Sequence, residues 1–372
     1  MDKVVYLIGA GASHAELKRY DSSAGICMND AVAGVLKIIK NDYSSDNSLS
    51  ELLNTLDNGT IHPYKLDIEK VISLYETAGT RTDQERANNL RNAFSKTIIG
   101  SIEQTIKGDR LPLLISALFD LHTIPALNEQ LQGILTTNYD GFIEQGSMNV
   151  HGAINYPFVP AIHDADYVFD QSLPPIVNLH GSFYWKKSHP VELSKKADPG
   201  SENALWLPPG IIKQNAQYPF NLLWGTAREL LKCDILRIIG CSLGVSDFNI
   251  LSMLHVTNRL RDDGVKFKIE YIDYPDRFKD VDDQYPFLNI NSVGDIQEFK
   301  TYFFETEYDP TESSEGVFLL ERDQIFSWLE RHPQINIFEK WLVSKAYQLV
   351  SQDESAIATS KGFLERLYCE AT

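Results

Sequence analysis

Short runs that are mostly apolar throughout, rather than alternating, recur at Val4 to Ile8, Gly133 to Leu135, Ile176 to Leu179, Ile235 to Ile239 and Phe267 to Ile272. They are rich in β-branched residues and end in glycine or polar residues, the pattern of strands buried on both faces. Helical stretches separate several of them. Strands alternating with helices imply right-handed crossovers and a parallel sheet. The expected fold is therefore α/β, with a Rossmann-like parallel sheet.

Between the first two runs the period changes. Ala31-Val32, Val35-Leu36 and Ile39 recur at helical spacing, and Leu66 to Tyr75 and Leu90 to Ile106 continue the habit, with polar loops such as Asn41 to Asn47 between. Residues from about 31 to 130 thus read as a mainly helical insertion after the first βα unit. Residues 155–220 hold many prolines and aromatics and read as loop-rich; a loop that long inside a compact domain is often functional. Val317 to Leu329, Phe338 to Leu349 and Lys361 to Leu367 have helical spacing. The expected division is a core over 1–300 and a C-terminal helical region over 301–372, an appendage for interdomain or subunit contact.

Composition narrows the partners. The balance of 51 acidic against 34 basic residues leaves a formal charge of −17. Such a field repels phosphate backbones, so direct nucleic-acid binding is not expected. No apolar run approaches the roughly 18 residues of a membrane span, and Met1-Asp2-Lys3 followed by Val4-Val5-Tyr6-Leu7-Ile8 reads as a strand rather than a signal peptide. A cytoplasmic protein without membrane contact is expected. The four cysteines, Cys27, Cys233, Cys241 and Cys369, form no CxxC pair, which argues for reduced thiols over zinc or disulfides.

Four segments carry candidate chemistry. Gly9-Ala10-Gly11-Ala12-Ser13 follows the first strand, where glycines let backbone amides approach a phosphate and a helix N-terminus favours its charge. His14 stands where a GxGxxG pattern has its third glycine, so a tight turn without a ligand explains the segment as well. Leu135-Thr136-Thr137-Asn138-Tyr139-Asp140 and Ile176-Val177-Asn178-Leu179-His180-Gly181-Ser182 each deliver polar side chains to the carboxyl end of a buried strand, where open α/β sheets bind ligands. Ile238-Ile239-Gly240-Cys241-Ser242-Leu243-Gly244-Val245-Ser246-Asp247 repeats the arrangement. Taken singly, Asn138 serves equally as a turn residue and His180 as a core histidine. Four such strand ends meeting on one edge are harder to explain without a ligand.

In order and approximate spacing these segments resemble the sirtuin motifs GAGxS, a QNxD-like segment, HG and GTS. They resemble more closely the bacterial sirtuin-like (SIR2-like) domains that hydrolyse NAD in antiphage defence, over roughly residues 1–275, with Ala24 to Asp30 similar to the segment after GAGxS. The resemblance implies a sirtuin-like NAD+ glycohydrolase that releases nicotinamide and ADP-ribose and acts as a defence effector by NAD depletion. It implies catalytic roles for Asn138, orienting ribose and water, and His180, as general base. It places NAD, as substrate, on Gly9, Ala10, Gly11, Ser13, Asp30, Thr137, Asp140, Gly240, Ser242 and Asp247. Asp30, Asp140 and Asp247 serve equally as helix caps, and Asp273 is a further candidate on the adenine side. His151-Gly152 is a second HG pair, ranked below His180 because no apolar strand precedes it. Classical sirtuin deacylases carry a four-cysteine zinc module between HG and GTS; this chain has only Cys233 between His180 and Cys241, so no metal is expected. The alternatives are an NAD-dependent protein deacylase or ADP-ribosyl transferase, a non-catalytic NAD or ADP-ribose-binding assembly module, and a dehydrogenase. By the same resemblance a homo-oligomer is expected, with a separate partner such as a HerA-type ATPase or an Argonaute-like protein.

Overall fold

The computed structural model describes residues 1–21, 24–43, 49, 68–106, 112–162, 167–200, 203–207, 217–244, 247–259, 267–292, 336–350 and 363. Six strands form one sheet: β1 (Asp2–Ile8), β2 (Glu129–Thr136), β4 (Ile176–Asn178), β8 (Ile235–Ile239), β9 (Lys268–Ile272) and β10 (Ile290–Ser292), in the order β10-β9-β8-β1-β2-β4. Every pair is parallel. Counted along the chain, the sheet reads 3-2-1-4-5-6, the doubly wound Rossmann order. The five expected strands are all present; β2 begins four residues before the apolar run that announced it, and β10 is an addition at the edge.

The order reverses between β1 and β8. From β1 the chain builds outward through β2 and β4, then returns to β8 and builds the other way. At such a reversal the loops leave in opposite directions, so a crevice opens beyond the carboxyl ends of the two central strands.

Helices α1 (Ala10–Tyr20), α2 (Met28–Asp42), α3 (Ile68–Ala78), α4 (Arg81–Thr105) and α5 (Leu113–Leu121) lie between β1 and β2. Of these, α4 packs on both α2 and α3. Thr80 starts α4 by accepting a hydrogen bond from Asp83 N at 3.1 Å, a side-chain cap for an otherwise orphaned amide. Buried Phe94 of α4 meets the edge of Tyr139, at the end of β2, with ring centroids 6.3 Å apart. The helical insertion thus touches the rim.

The segment expected to be loop-rich builds a second, four-stranded sheet: β3 (Ala161–Ile162), β6 (Glu192–Leu193), β5 (Gly181–Lys186) and β7 (Ala204–Trp206), in the order β3-β6-β5-β7. Its aromatic residues are its core. Trp185 meets Tyr156 and Phe158 edge-on at 5.3 and 5.1 Å, and Phe183 stacks on Tyr139 at 5.1 Å. Leu179-His180 is the two-residue junction at which the chain leaves the large sheet for the small one. Gly181 makes the turn at φ 76°, where a Cβ would stand 2.5 Å from Leu205 O.

The remaining helices are α6 (Phe142–His151), α7 (Phe220–Leu230), α8 (Phe248–Arg259), α9 (Pro275–Gln284) and α10 (Ile337–Val350). Helix α10 corresponds to the expected helix over Phe338 to Leu349; Val317 to Leu329 and Lys361 to Leu367, apart from residue 363, lie outside the described residues. It packs against α1, α5 and β9, burying Trp341, Leu342, Val343 and Ala346. This helix is part of the core.

What α10 covers is charged. Arg237, in the middle of β8, donates to both oxygens of Glu129 at 2.5 and 2.6 Å, to Glu270 at 2.7 Å and to Tyr6 OH at 3.1 Å. The indole of Trp341 lies 5.3 Å from the guanidinium, and Lys345 reaches Glu129 at 3.5 Å. A fully buried guanidinium is tolerated because its donors find oxygens and two carboxylates balance its charge. No helix among the described residues is long and apolar enough to cross a membrane.

Candidate functional site

The ends of β1, β2, β4 and β8 lie side by side. Thr136 pairs with Asn178, so Asn138 and His180 each stand two residues beyond a matched pair on neighbouring strands. The loops are stitched together: Leu179 N donates to Thr136 O at 2.9 Å, Phe183 N to Tyr139 O at 3.0 Å, and Thr137 N to Ile8 O at 3.1 Å. The sheet therefore gathers the candidate residues of all four segments along one edge.

Asn138 is the best defined. Its Nδ2 donates to Gly9 O at 3.1 Å and to Ser13 Oγ at 2.8 Å, and its own amide is held by Thr136 Oγ1 at 3.1 Å. Both side-chain donors are thus used, which fixes the orientation of the carboxamide. Its Oδ1 is buried and has no partner. A buried acceptor left without a donor costs about 1 to 3 kcal/mol, so such an atom at a sheet edge calls for a ligand or water donor.

Ser13, only 1% exposed, passes the network on by donating to Asp140. Asp140 also accepts from Phe142 N at 3.1 Å, at the start of α6. Burial pushes its carboxyl above the usual range, although these two bonds pull the other way. Asp140 thus links the Asn138 network, through Ser13, to the start of α6. His180 is 3% exposed, with its ring 6.1 Å from that of Tyr139 and tilted by 31°.

The glycines do something the phosphate reading did not anticipate. Gly9 N donates to Ile239 O at 2.9 Å and Gly11 N to Gly240 O at 2.8 Å. A Cβ on Gly9 would stand 2.6 Å from Cys241 Cα, and one on Gly240, whose φ is 58°, 2.4 Å from Ala12 N. The two turns interlock backbone to backbone at the reversal of strand order, and this alone requires glycine. Gly11 N–H and Ala12 N–H, the latter bonded to Gly9 O at 3.0 Å, are both occupied. Ala10, at the first position of α1, is exposed.

The other candidates fall as follows. Ser242 is exposed on the turn after β8, and Asp247 donates its backbone amide to Gly244 O at 2.9 Å just before α8. Thr137 is half-buried. Asp30 lies in the first turn of α2, but its side chain is outside the described residues. Burial raises Asp273, just past β9, and its Oδ1 accepts from Tyr274 N at 2.8 Å. His151 ends α6, with its ring against Phe119 at 5.7 Å and Gly152 closing the helix at φ 69°. Helix α6 starts beside Asp140 and runs away from the rim, so the second HG pair is a helix C-terminus.

Two buried polar residues escaped the sequence reading. Glu144, on α6, accepts from Tyr156 OH at 2.8 Å and from Asn178 Nδ2 at 3.0 Å. The available signal was Asn178 itself, a carboxamide inside the apolar run Ile176-Val177-Asn178-Leu179. Among the described residues no group of three or more His, Cys, Asp or Glu side chains is placed to hold a metal ion.

No family model matches the chain, and no curated protein matches it. Among solved structures, one of a Sir2 enzyme, determined for the mechanism and regulation of Sir2 enzymes, is 14% identical. That match covers 80% of this chain and 88% of that one, with a TM-score of 0.35. A histidine-to-asparagine mutant of a Sir2 homologue, in complex with ADP-ribose, is 14% identical over the same shares with a TM-score of 0.32. A serine-to-alanine mutant of a Sir2 homologue, also with ADP-ribose, is 12% identical over 77% of this chain and 92% of that one, with a TM-score of 0.33. The fold, read from its strand order, is an α/β Rossmann-like one.

Proposed function

We propose that this chain is an NAD+ glycohydrolase, which breaks the bond between nicotinamide and ribose and passes the ribose carbon to water. The single observation that carries the reading is the Asn138 carboxamide: locked by two donor bonds, with a buried, unpartnered oxygen at the strand-order reversal of a Rossmann-type sheet. Dinucleotides bind across such a crevice, and the ordered motifs described above single out NAD.

Departure of nicotinamide leaves positive charge on the ribose, so the site must favour an oxocarbenium-like state. Asn138 Oδ1 accepts from a ribose hydroxyl or from the incoming water. It can do so without reorienting, because Gly9 O and Ser13 Oγ hold the carboxamide in place. His180 takes the proton that the water loses as its oxygen bonds to the ribose carbon. The amide of Ala10 and the α1 N-terminus face the pyrophosphate, with Ser242 contributing from the turn after β8 and Asp247 toward a ribose hydroxyl. The balanced reaction consumes NAD+ and water and yields nicotinamide, ADP-ribose and a proton. A role in antiphage defence, and a partner that controls so destructive an activity, rest on the motif resemblance alone.

The test is nicotinamide release by the purified chain. Asn138→Ala and His180→Ala should each lower the rate by about 100- to 10,000-fold while leaving the protein folded. Full activity in both variants overturns the assignment. Binding of NAD by calorimetry without any turnover favours the assembly-module reading.

A further inference from the structure

Behind the candidate site, Glu144 stands in the first turn of α6, 3% exposed. Its Oε1 accepts from Tyr156 OH and from Asn178 Nδ2. Its Oε2 is buried without a partner, and so is Asn178 Oδ1. Each of the two side chains therefore carries one satisfied and one orphaned head atom, and the satisfied atoms bond to each other. An ionised carboxylate cannot repair this, because it only accepts. A neutral acid can. Its Oε2–H donates to Oδ1 while Nδ2–H donates to Oε1, closing a ring of two parallel hydrogen bonds, so that one proton satisfies both orphaned atoms.

The surroundings favour that proton. The groups that act on Glu144 are Asp140 from the loop after β2, Tyr156 and Tyr167 from the segment between α6 and β4, Asn178 from β4 and Tyr184 from β5. Asp140 is a second buried carboxyl, and burial keeps all three phenols neutral by raising them above their ordinary range. Burial first, and then Asp140, push Glu144 up to about 7, against the pull of its own backbone amide, Tyr156 and Asn178.

We propose that Glu144, held as a neutral acid, is a positioning residue: its two-bond ring with Asn178 pins the end of β4, two residues before His180, to the helix that follows Asp140. Ionisation removes the Oε2–H donor, sets a negative oxygen against Asn178 Oδ1 and opens the ring. The junction that carries His180 then loses its anchor to α6. The inference deepens the glycohydrolase reading and rests on it for its kinetic consequence only.

Wild type is compared with Glu144→Gln and Glu144→Leu. The glutamine amide rebuilds the ring at every pH, its Nε2–H donating to Asn178 Oδ1 and its Oε1 accepting from Nδ2; leucine cannot. Taken relative to the glutamine variant at each pH, which cancels the titration of the base common to both, wild-type nicotinamide release should fall about tenfold from about pH 6 to about pH 8, as a single group titrating near 7 requires. The leucine variant should be slow throughout. In parallel, the NMR signal of the His180 ring, assigned by its loss in His180→Gln, should show an inflection near pH 7 in wild type that Glu144→Gln lacks. Glutamine as slow as leucine, or a His180 signal that titrates identically in wild type and Glu144→Gln, overturns the proposal. If no variant releases nicotinamide, the NMR comparison decides alone, so a wrong reaction and a wrong positioning residue are told apart.

Discussion

Replacing Arg237 by methionine tests how the centre of the sheet is held. The substitution keeps the unbranched apolar stem of the side chain and removes four hydrogen bonds and one charge from a site 1% exposed. Two carboxylates remain. Glu129 keeps Lys345 at 3.5 Å, and Glu270 keeps Lys268 at 2.8 Å. Removing one partner of a buried ion pair costs about 3 to 5 kcal/mol, and the surviving lysines place the loss at the lower end. Proton linkage gives a second figure. Burial pushes Glu270 up, but Arg237 and then Lys268 overcome it and hold the carboxyl at about 2, from an ordinary 4.5. At about 1.4 kcal/mol per unit that shift is worth about 3 kcal/mol. Because the folded value is depressed, this contribution is complete above about pH 4.5 and is lost as pH falls through 2. The variant lacks it, and its stranded carboxyls are relieved by protonation. The penalty should therefore be about 3 kcal/mol at pH 7 and clearly smaller near pH 4. Urea denaturation followed by tryptophan fluorescence at the two pH values measures both. A loss under about 1 kcal/mol at pH 7, or a penalty that does not shrink in acid, refutes the reasoning.

Two other substitutions probe neighbouring parts of the account. Gly240→Ala meets both a left-handed backbone at φ 58° and Ala12 N at 2.4 Å. It should cost about 2 kcal/mol or more, through backbone strain and loss of the bond from Gly11 N to Gly240 O, and should weaken NAD binding in calorimetry; unchanged stability would contradict the interlock. His122 is held near 4 chiefly by burial, its Nε2 accepting from Tyr6 OH at 2.8 Å. Since its folded value lies below the unfolded one of about 6.5, wild type should lose stability as pH falls from 6.5 through 4, by about 3 kcal/mol from this group. His122→Gln should flatten that slope by about one proton in urea titrations, and an unaltered slope would place the proton elsewhere.

The parts of the fold legible in the sequence were those specified locally. Val4 to Ile8 and Ile235 to Ile239 announced themselves as strands because both faces of each are covered, so no polar alternation interrupts them. Their glycine ends, and the polar residues after Thr136 and Asn178, marked the rim. The small sheet was illegible, because three of its four strands have only two or three residues and carry no period, and its aromatic packing among Tyr156, Phe158 and Trp185 is assembled by tertiary contact. The Arg237 network went unread, because Glu129 lies 108 residues away from Arg237 and nothing local pairs them. Gly9, Gly11 and Gly240 drew notice as a phosphate cradle, and the backbone interlock they form asks for the same residue. Glu144 escaped notice because only the convergence of Asn178 and Tyr156, distant in sequence, distinguishes it from any acid in the first turn of a helix.

The most direct test of the central claim is product analysis by mass spectrometry after incubating the wild-type chain with NAD in heavy-oxygen water, with and without the product of the neighbouring gene. The account predicts nicotinamide together with ADP-ribose that carries the heavy oxygen on its terminal ribose. Intact NAD under every condition, a reduced dinucleotide, or ADP-ribose attached to an acceptor other than water would contradict it.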